Sequence, residues 1–254
     1  MTTTISFWLN CYIEIGIDIL KVAIMQPTYL PWYGYFSLAA SCDVFVLLDD
    51  TQYERRSWQS RNRILVEGRE YLLSLPVHSK GQFNQLISQV RMVNPFQDLS
   101  AHLETIRRSY SRAPYFKEFF PTVQNLFENN KSEFLVDFNE SFILAVRSYL
   151  GLGFDTIRSS SLGVEGHKSF KLLSIVRKLN GDTYLSPKGS RCYIEDEGWF
   201  QSNRTPVFYQ EITNTAYKQL TSDFIPQLSV VDLIFNEGKL STLDYLKSIQ
   251  SLIK

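Results

Sequence analysis

Two short apolar runs frame this chain. "KVAIMQP" extends from Lys21 to Pro27, and "DVFVLLDD" from Asp43 to Asp50. The first is stopped by proline and the second by two carboxylates, the pattern of buried strands closed by loops. Between them "YFSLAASC", Tyr35 to Cys42, has helical character. Strand, loop, helix and strand within about thirty residues make a βαβ unit, whose parallel strands are joined by a right-handed crossover. Ligands of such sheets bind beyond the C-terminal strand ends. Gln26 and Pro27 occupy one such end, and Asp49, Asp50 and Gln52 the other, so the two sets are expected to lie side by side.

The stretch "IMQPTYLPWYGYF", Ile24 to Phe36, joins the first strand to the helix. It holds five aromatic residues, two prolines and one glycine, too stiff for a linker and too irregular for a plain core element. It is expected to wall the cleft. Tyr29, Trp32, Tyr33 and Tyr35 are rings that stack on a base or sugar, or pack into core. Gly34 either lets backbone approach a phosphate or opens a helix.

Farther along, "RNRILVEGREYLLSLPV", Arg61 to Val77, predicts two strands around a turn at Glu67-Gly68. Ser79 to Val93 reads as a polar loop and another strand. From Pro95 the period becomes helical, and residues 95–153 form a helical block with a break at Gly151. Phe154 to Gly163 reads as strand and loop, and His167 to Gly181 as an amphipathic helix closed by Asn-Gly. Asp182 to Ile194 reads as a strand followed by a glycine-containing loop, "TPVFYQEI" as a strand, and Leu228 to Gly238 and the segment after it as helical. The expected fold class is α/β: a parallel-sheet, Rossmann-like core, with a nucleotidyltransferase-like arrangement as one variant, and an inserted, mostly helical block. Residues 21–254 are expected to form one domain. Residues 1–20 lack a basic n-region and are interrupted by Glu14 and Asp18, which is poor for a signal peptide. They read as an extra surface element, an extension, or sequence upstream of a start near Leu20.

Lys plus Arg equals Asp plus Glu at 26 each, which argues against nucleic acid as a partner. Cys11, Cys42 and Cys192 are odd in number and widely spaced, predicting reduced thiols and a cytoplasmic protein. No metal-ligand spacing appears, the cofactor is unknown, and no run of about 18 apolar residues is present to span a membrane.

Several polar residues are candidates for chemistry. Gln26 and Gln52 are strand-end amides, able to donate and accept or to cap a turn. Asp49 and Asp50 can bind a metal, orient a hydroxyl, act as base or cap a turn. Adjacent strand residues point opposite ways, so one of the two should face the cleft. Arg55, Arg56, Arg61 and Arg63 carry forks suited to phosphate or carboxylate. His102 is either a structural helical histidine or a general base, and His167 with Lys168 reads as a helix cap. Ser186, Lys188, Gly189 and Ser190 suit phosphate binding through backbone N–H and an ammonium group, or form a plain turn. Tyr193 and Tyr217 can contact substrate or fill core. Nucleophilic catalysis is poorly supported, since no GxSxG elbow exists; Cys192, nearer that loop, is the one cysteine worth testing.

"QPTYLPWYGYF" (26–36), "DVFVLLDDTQY" (43–53), "WQSRNRI" (58–64), "SYSRAPYF" (109–116), "DTYLSPKGSRCYI" (182–194) and "FIPQLSVVDLIFNEG" (224–238) resemble, in order, the WbqC-like family. Arg61 and Asn62 fall in its motif. The resemblance implies bacterial O-antigen and other surface-polysaccharide biosynthesis, with transfer of an acyl or aminoacyl group such as glycine to a sugar. The expected substrate is a small molecule, a nucleotide-linked amino sugar, with a homodimer as one assembly option. In that scheme Asp49, Asp50 or His102 removes a proton from the attacking amine. Gln26, Tyr29, Trp32, Tyr35, Gln52, Arg61, Asn62, Ser186, Lys188, Ser190 and Tyr193 bind substrate. ATP-dependent adenylation or nucleotidyl transfer, and non-catalytic nucleotide-sugar binding, are the alternatives; the HxGH histidines of the former are lacking.

Overall fold

The computed structural model describes residues 19–253, so the expectations for the first 18 residues lie outside it. In chain order the elements are β1 (Lys21–Met25), α1 (Tyr33–Ala39), β2 (Val44–Leu47), β3 (Arg61–Val66) and β4 (Arg69–Ser74). Then come α2 (Pro95–Tyr110), α3 (Phe116–Glu128), α4 (Leu135–Leu150), β5 (Asp155–Arg158), α5 (Lys168–Lys178) and β6 (Thr183–Pro187). The chain continues through α6 (Arg191–Glu197), α7 (Trp199–Ser202), β7 (Val207–Ile212), α8 (Val230–Ser248) and β8 (Gln250–Ile253). Among the described residues no helix is long and apolar enough to cross a membrane.

Six strands form one sheet in the order β5-β2-β1-β6-β7-β8. All neighbours are parallel except β7 and β8. The chain first builds outward from β1 through β2 to β5, then crosses to the other side of β1 for β6 and β7. The order therefore reverses between β1 and β6, which makes this an α/β, Rossmann-like core with its switch point there. Val22, Ala23, Phe45, Val46, Tyr184 and Leu185 are buried, because a parallel sheet is covered on both faces.

β3 and β4 pair as a separate antiparallel hairpin around Glu67-Gly68, where both residues take positive φ. Three helices, α2 to α4, occupy the chain between this hairpin and β5. Their apolar faces join one core with α1 and the sheet, through Phe119, Phe127, Phe138, Phe36 and Phe45 among others. Each such ring contributes about 1.5–3 kcal/mol on burial. α4 ends at Gly151, whose φ of 73° is the left-handed cap that glycine adopts without a Cβ clash. α8 is broken at Gly238, whose φ is 71°.

Three segments differ from their expectation. Ser79–Val93 carries a short turn of helix at Ile87–Gln89 and three isolated bridges, Gln52 to Leu86, Val77 to Met92 and Arg91 to Phe134, because its apolar residues anchor a surface loop rather than alternate. The glycine-containing loop after β6 is a single turn, and the chain is helical again from Arg191. The C-terminal segment leaves its helix at Ser248 and adds β8 antiparallel to β7, placing Ile253 against Tyr209.

Candidate functional site

β1 ends at Met25, and Pro27 removes the next donor that could extend the ladder. The chain from Gln26 to Trp32 then loops over the strand ends, with Leu30 held at a φ of 42°. Asn62 supports that strained turn by donating its Nδ2 to the carbonyls of Tyr29 (3.0 Å) and Leu30 (2.8 Å). A second loop, Glu54–Ser60, crosses the first. The amide N–H of Tyr29 donates to the Trp58 carbonyl at 2.9 Å. Nε2 of Gln59 donates to Oε1 of Gln26 at 2.8 Å. Below both loops Asn139 of α4 donates its Nδ2 to the Pro27 (3.2 Å) and Gln59 (2.8 Å) carbonyls.

Two cavities open where the loops meet the sheet. The inner one, about 360 Å³, lies over the ends of β1, β2 and β6. Its walls include Met25, Gln26, Thr28 and Leu48, then Glu54, Ser57, Trp58 and Gln59, and from the far side of the switch point Tyr184, Pro187, Ser190 and Tyr193. The outer cavity, about 260 Å³, is lined by Met25, Thr28, Trp32, Tyr35, Trp58, Asn62, Arg63 and Gln227. The cavities share Met25, Thr28 and Trp58. The Trp58 indole, about half exposed (49%), therefore stands between two chambers. The guanidinium carbons of Arg61 and Arg63 lie 5.9 and 5.3 Å from its ring centroid. Arg63 also pairs with Glu70 at 2.9 Å and reaches the Gln227 carbonyl at 3.3 Å. Arg61 enters no ion pair among the described residues, and its Nε is buried without a partner.

Of the residues singled out in the sequence, Gln26, Ser190 and Tyr193 reach the inner chamber, and Trp32, Tyr35 and Asn62 the outer one. Tyr35 is also a core ring, its hydroxyl donating to the Gln26 carbonyl at 3.3 Å. Arg61 borders the partition.

The others stand elsewhere, for definite physical reasons. Asp49 is fully buried, its carboxylate accepting from the Ser160 amide (2.9 Å), the Ser160 hydroxyl (2.8 Å) and the Ser159 hydroxyl (3.2 Å). Asp50 pairs with Lys171 of α5 at 2.8 Å and accepts from Ser159. Neither carboxylate lines a chamber; together they fasten the end of β2 to the turn after β5. Nδ1 of His102 is 2.7 Å from the Tyr29 hydroxyl, in the packing between α2 and the first loop. Burial pushes that imidazole down to about 4, against the opposing pull of Asp98. Tyr29 is fully buried and Gln52 is spent on the Phe83 carbonyl. Ser186 is buried in β6, and the Lys188 ammonium is paired with Glu211 at 2.5 Å.

Gly34 opens α1, and the Trp32 indole covers it: an added Cβ would fall 2.4 Å from that ring. His167 makes no side-chain cap for α5; Glu197 does that work, accepting from the amide and hydroxyl of Ser169. Tyr217 donates to buried Asp232 at 2.6 Å as part of the core. Cys192 is exposed, and the Cys42 thiol is buried and pushed up to about 12. Among the described residues no group of three or more His, Cys, Asp or Glu is arranged to hold a metal ion.

Thr28, Glu54, Ser57, Trp58, Gln59 and Gln227 line the chambers without having been singled out for them, whereas Arg63, named among the forks suited to phosphate, lines the outer one. Trp58 carried a signal, since an exposed tryptophan between guanidinium residues in a polar loop has no core to fill. Gln227 carried none, because only the tertiary fold brings it to β3.

The segments from 26–36 to 224–238 all fall within the residues matched by one family model. The model of the WbqC-like protein family matches residues 26–243. The uncharacterized protein Rv1507c of Mycobacterium tuberculosis is 30% identical over 227 residues, covering 89% of this chain and 97% of the relative. No solved structure matches.

Proposed function

The chain belongs to the WbqC-like protein family, and from that premise we propose that its switch-point cleft binds a nucleotide-linked amino sugar for acyl or aminoacyl transfer in bacterial surface-polysaccharide biosynthesis. The observation that carries the reading is the partition of the cleft by Trp58. The inner chamber offers amides and hydroxyls from Gln26, Thr28, Ser57, Gln59, Ser190 and Tyr193, donors and acceptors suited to a neutral polyhydroxyl ring. The outer chamber offers the rings of Trp32 and Trp58 with the fork of Arg63, suited to a planar base and a phosphate. Both volumes lie within or near the scale of small-molecule sites, roughly 300–1,000 Å³. In the transfer, the sugar amine attacks the carbonyl carbon of an activated acyl donor. The C–N bond forms, the donor's leaving group departs with its bonding pair, and the nitrogen releases one proton. The family's association with polysaccharide gene clusters supports the substrate class.

The test is a thermal-shift panel of UDP-, GDP-, CMP- and dTDP-sugars, and ATP with and without magnesium. A ligand that binds only the native state stabilises it by about 2.7 kcal/mol at ~100 Kd. The expected result is a shift with one nucleotide-sugar that is lost in Arg63→Ala. A shift with magnesium-ATP alone would replace this reading with adenylation or nucleotidyl transfer. Nucleotide-sugar binding with no turnover by any acyl donor class would leave a binding protein.

A further inference from the structure

The inner chamber has one ionisable carboxylate in its wall, Glu54, and no lining cation. Every other carboxylate close to the strand ends has a partner. Asp49 is held by two serines, Asp50 by Lys171, Glu211 by Lys188 and Glu195 by Arg191. The Glu54 carboxylate has no hydrogen bond or ion pair among the described residues. Its backbone is fixed, the amide N–H donating to Oε1 of Gln59 at 3.3 Å, and Gln59 in turn grips Gln26 at the end of β1. A lone carboxylate on an exposed loop is ordinarily solvated and idle. Glu54 is itself exposed, but it lines a chamber whose other lining residues are neutral. Its neighbour Arg55 turns outward to the Ser79 carbonyl and leaves it uncompensated. The two chambers thus differ across the indole: the outer one has the Arg63 guanidinium, already paired with Glu70, and the inner one an unpaired carboxylate.

We infer that Glu54 is the residue that recognises a free amine on the sugar, so that the inner chamber selects an unacylated amino sugar over its N-acylated or hydroxyl counterpart. The assignment rests on the nucleotide-sugar reading above and adds what that reading leaves open, namely which residue of the chamber recognises the free amine. An ammonium group donates three hydrogen bonds and carries the charge Glu54 lacks. An N-acetyl group carries no charge and keeps a single amide N–H donor, and it adds bulk at the same place.

The experiment is calorimetric titration of the full chain with UDP-glucosamine, UDP-N-acetylglucosamine and UDP-glucose, at about pH 6.5, below the ordinary range of amines of this kind. UDP-glucosamine should bind about tenfold more tightly than the other two, the scale of one charge-assisted hydrogen bond. In Glu54→Gln that ratio should fall to about one, and Glu54→Asp should retain part of it. Melting curves check that both variants fold, as an unpaired side chain predicts. Equal affinities in the unmodified chain, or a preference that survives Glu54→Gln, would overturn the assignment while nucleotide-sugar binding stands. Where the thermal-shift panel selects another nucleotide, the same three sugars are titrated as its conjugates. Binding of none of the three, with no shift from any nucleotide-sugar of that panel, would overturn the underlying reading and this inference with it.

Discussion

Nζ of Lys171 lies 2.8 Å from the carboxylate of Asp50, and the two side chains are only 10% and 17% exposed. The same ammonium reaches the Asp50 carbonyl at 3.2 Å. The pair joins α5 to the end of β2, beside the inner chamber but outside it. Lys171→Ala should therefore destabilise the protein by roughly 3 kcal/mol, since it strands a nearly buried carboxylate. Asp50→Asn combined with Lys171→Met should recover much of that loss, because no lone charge remains. Denaturant titrations of the singles and the double give the coupling. Strict additivity would mean that the pair does not act as a unit.

His102 sets a pH dependence. Its folded-state value, about 4, lies below the ordinary histidine value of about 6.5. The unfolded chain therefore takes the proton first. The stabilisation is present above pH ~6.5 and is lost as the pH falls from there through about 4, on the order of 3 kcal/mol in all. His102→Gln removes this titration while offering the Tyr29 hydroxyl a partner. Its melting temperature should fall less than that of the unmodified chain over that interval. Parallel curves would show that the imidazole is not held neutral by its packing.

Trp58 separates the chambers without anchoring the core. Trp58→Ala gives up two guanidinium contacts worth about 0.5–1 kcal/mol each at an exposed site, so the melting temperature should change little. Ligand affinity should drop roughly tenfold or more, the scale of a lost stacking surface. Titration of a nucleotide-sugar identified by the thermal-shift panel measures this. Unchanged affinity would remove the indole from the site.

Gly34 is predicted to act through Trp32. Alanine is favoured over glycine inside helices by about 1 kcal/mol. Here its Cβ would lie 2.4 Å from the Trp32 indole, and overpacking typically costs about 1–3 kcal/mol. Gly34→Ala should lower stability modestly, shift tryptophan emission as Trp32 is displaced, and weaken binding at the outer chamber. A variant more stable than the parent with the same emission would show that the ring yields freely.

The core was readable because parallel strands are buried on both faces. Continuous apolar runs at 22–25 and 44–47 announce themselves, Tyr184 and Leu185 ahead of Pro187 mark β6 more weakly, and each strand brings its loop to the same side of the sheet. The loops beyond β1 and β6 bring Gln26, Ser190 and Tyr193 into the wall of one cavity. Asp49 and Asp50 misled for a physical reason. A carboxylate at a strand end looks the same in sequence whether it faces a cleft or a pair of serines, and Ser159 and Ser160 lie about a hundred residues downstream. His102 had the same fault, its character being set by Tyr29 across the fold. β8 was missed because its pairing with β7 depends on where α8 ends, not on alternation in "QSLI".

The grip of Asn139 on the carbonyls of Pro27 and Gln59 bears on how this protein would look in a genetic screen. α4 touches no chamber, yet it sets the height of both loops that enclose them. Loss-of-function alleles should accumulate in the helices between the hairpin and β5 as readily as around the strand ends. A survey of phenotype alone would map the chemistry one layer too deep, and only a ligand titration would separate the props from the pocket.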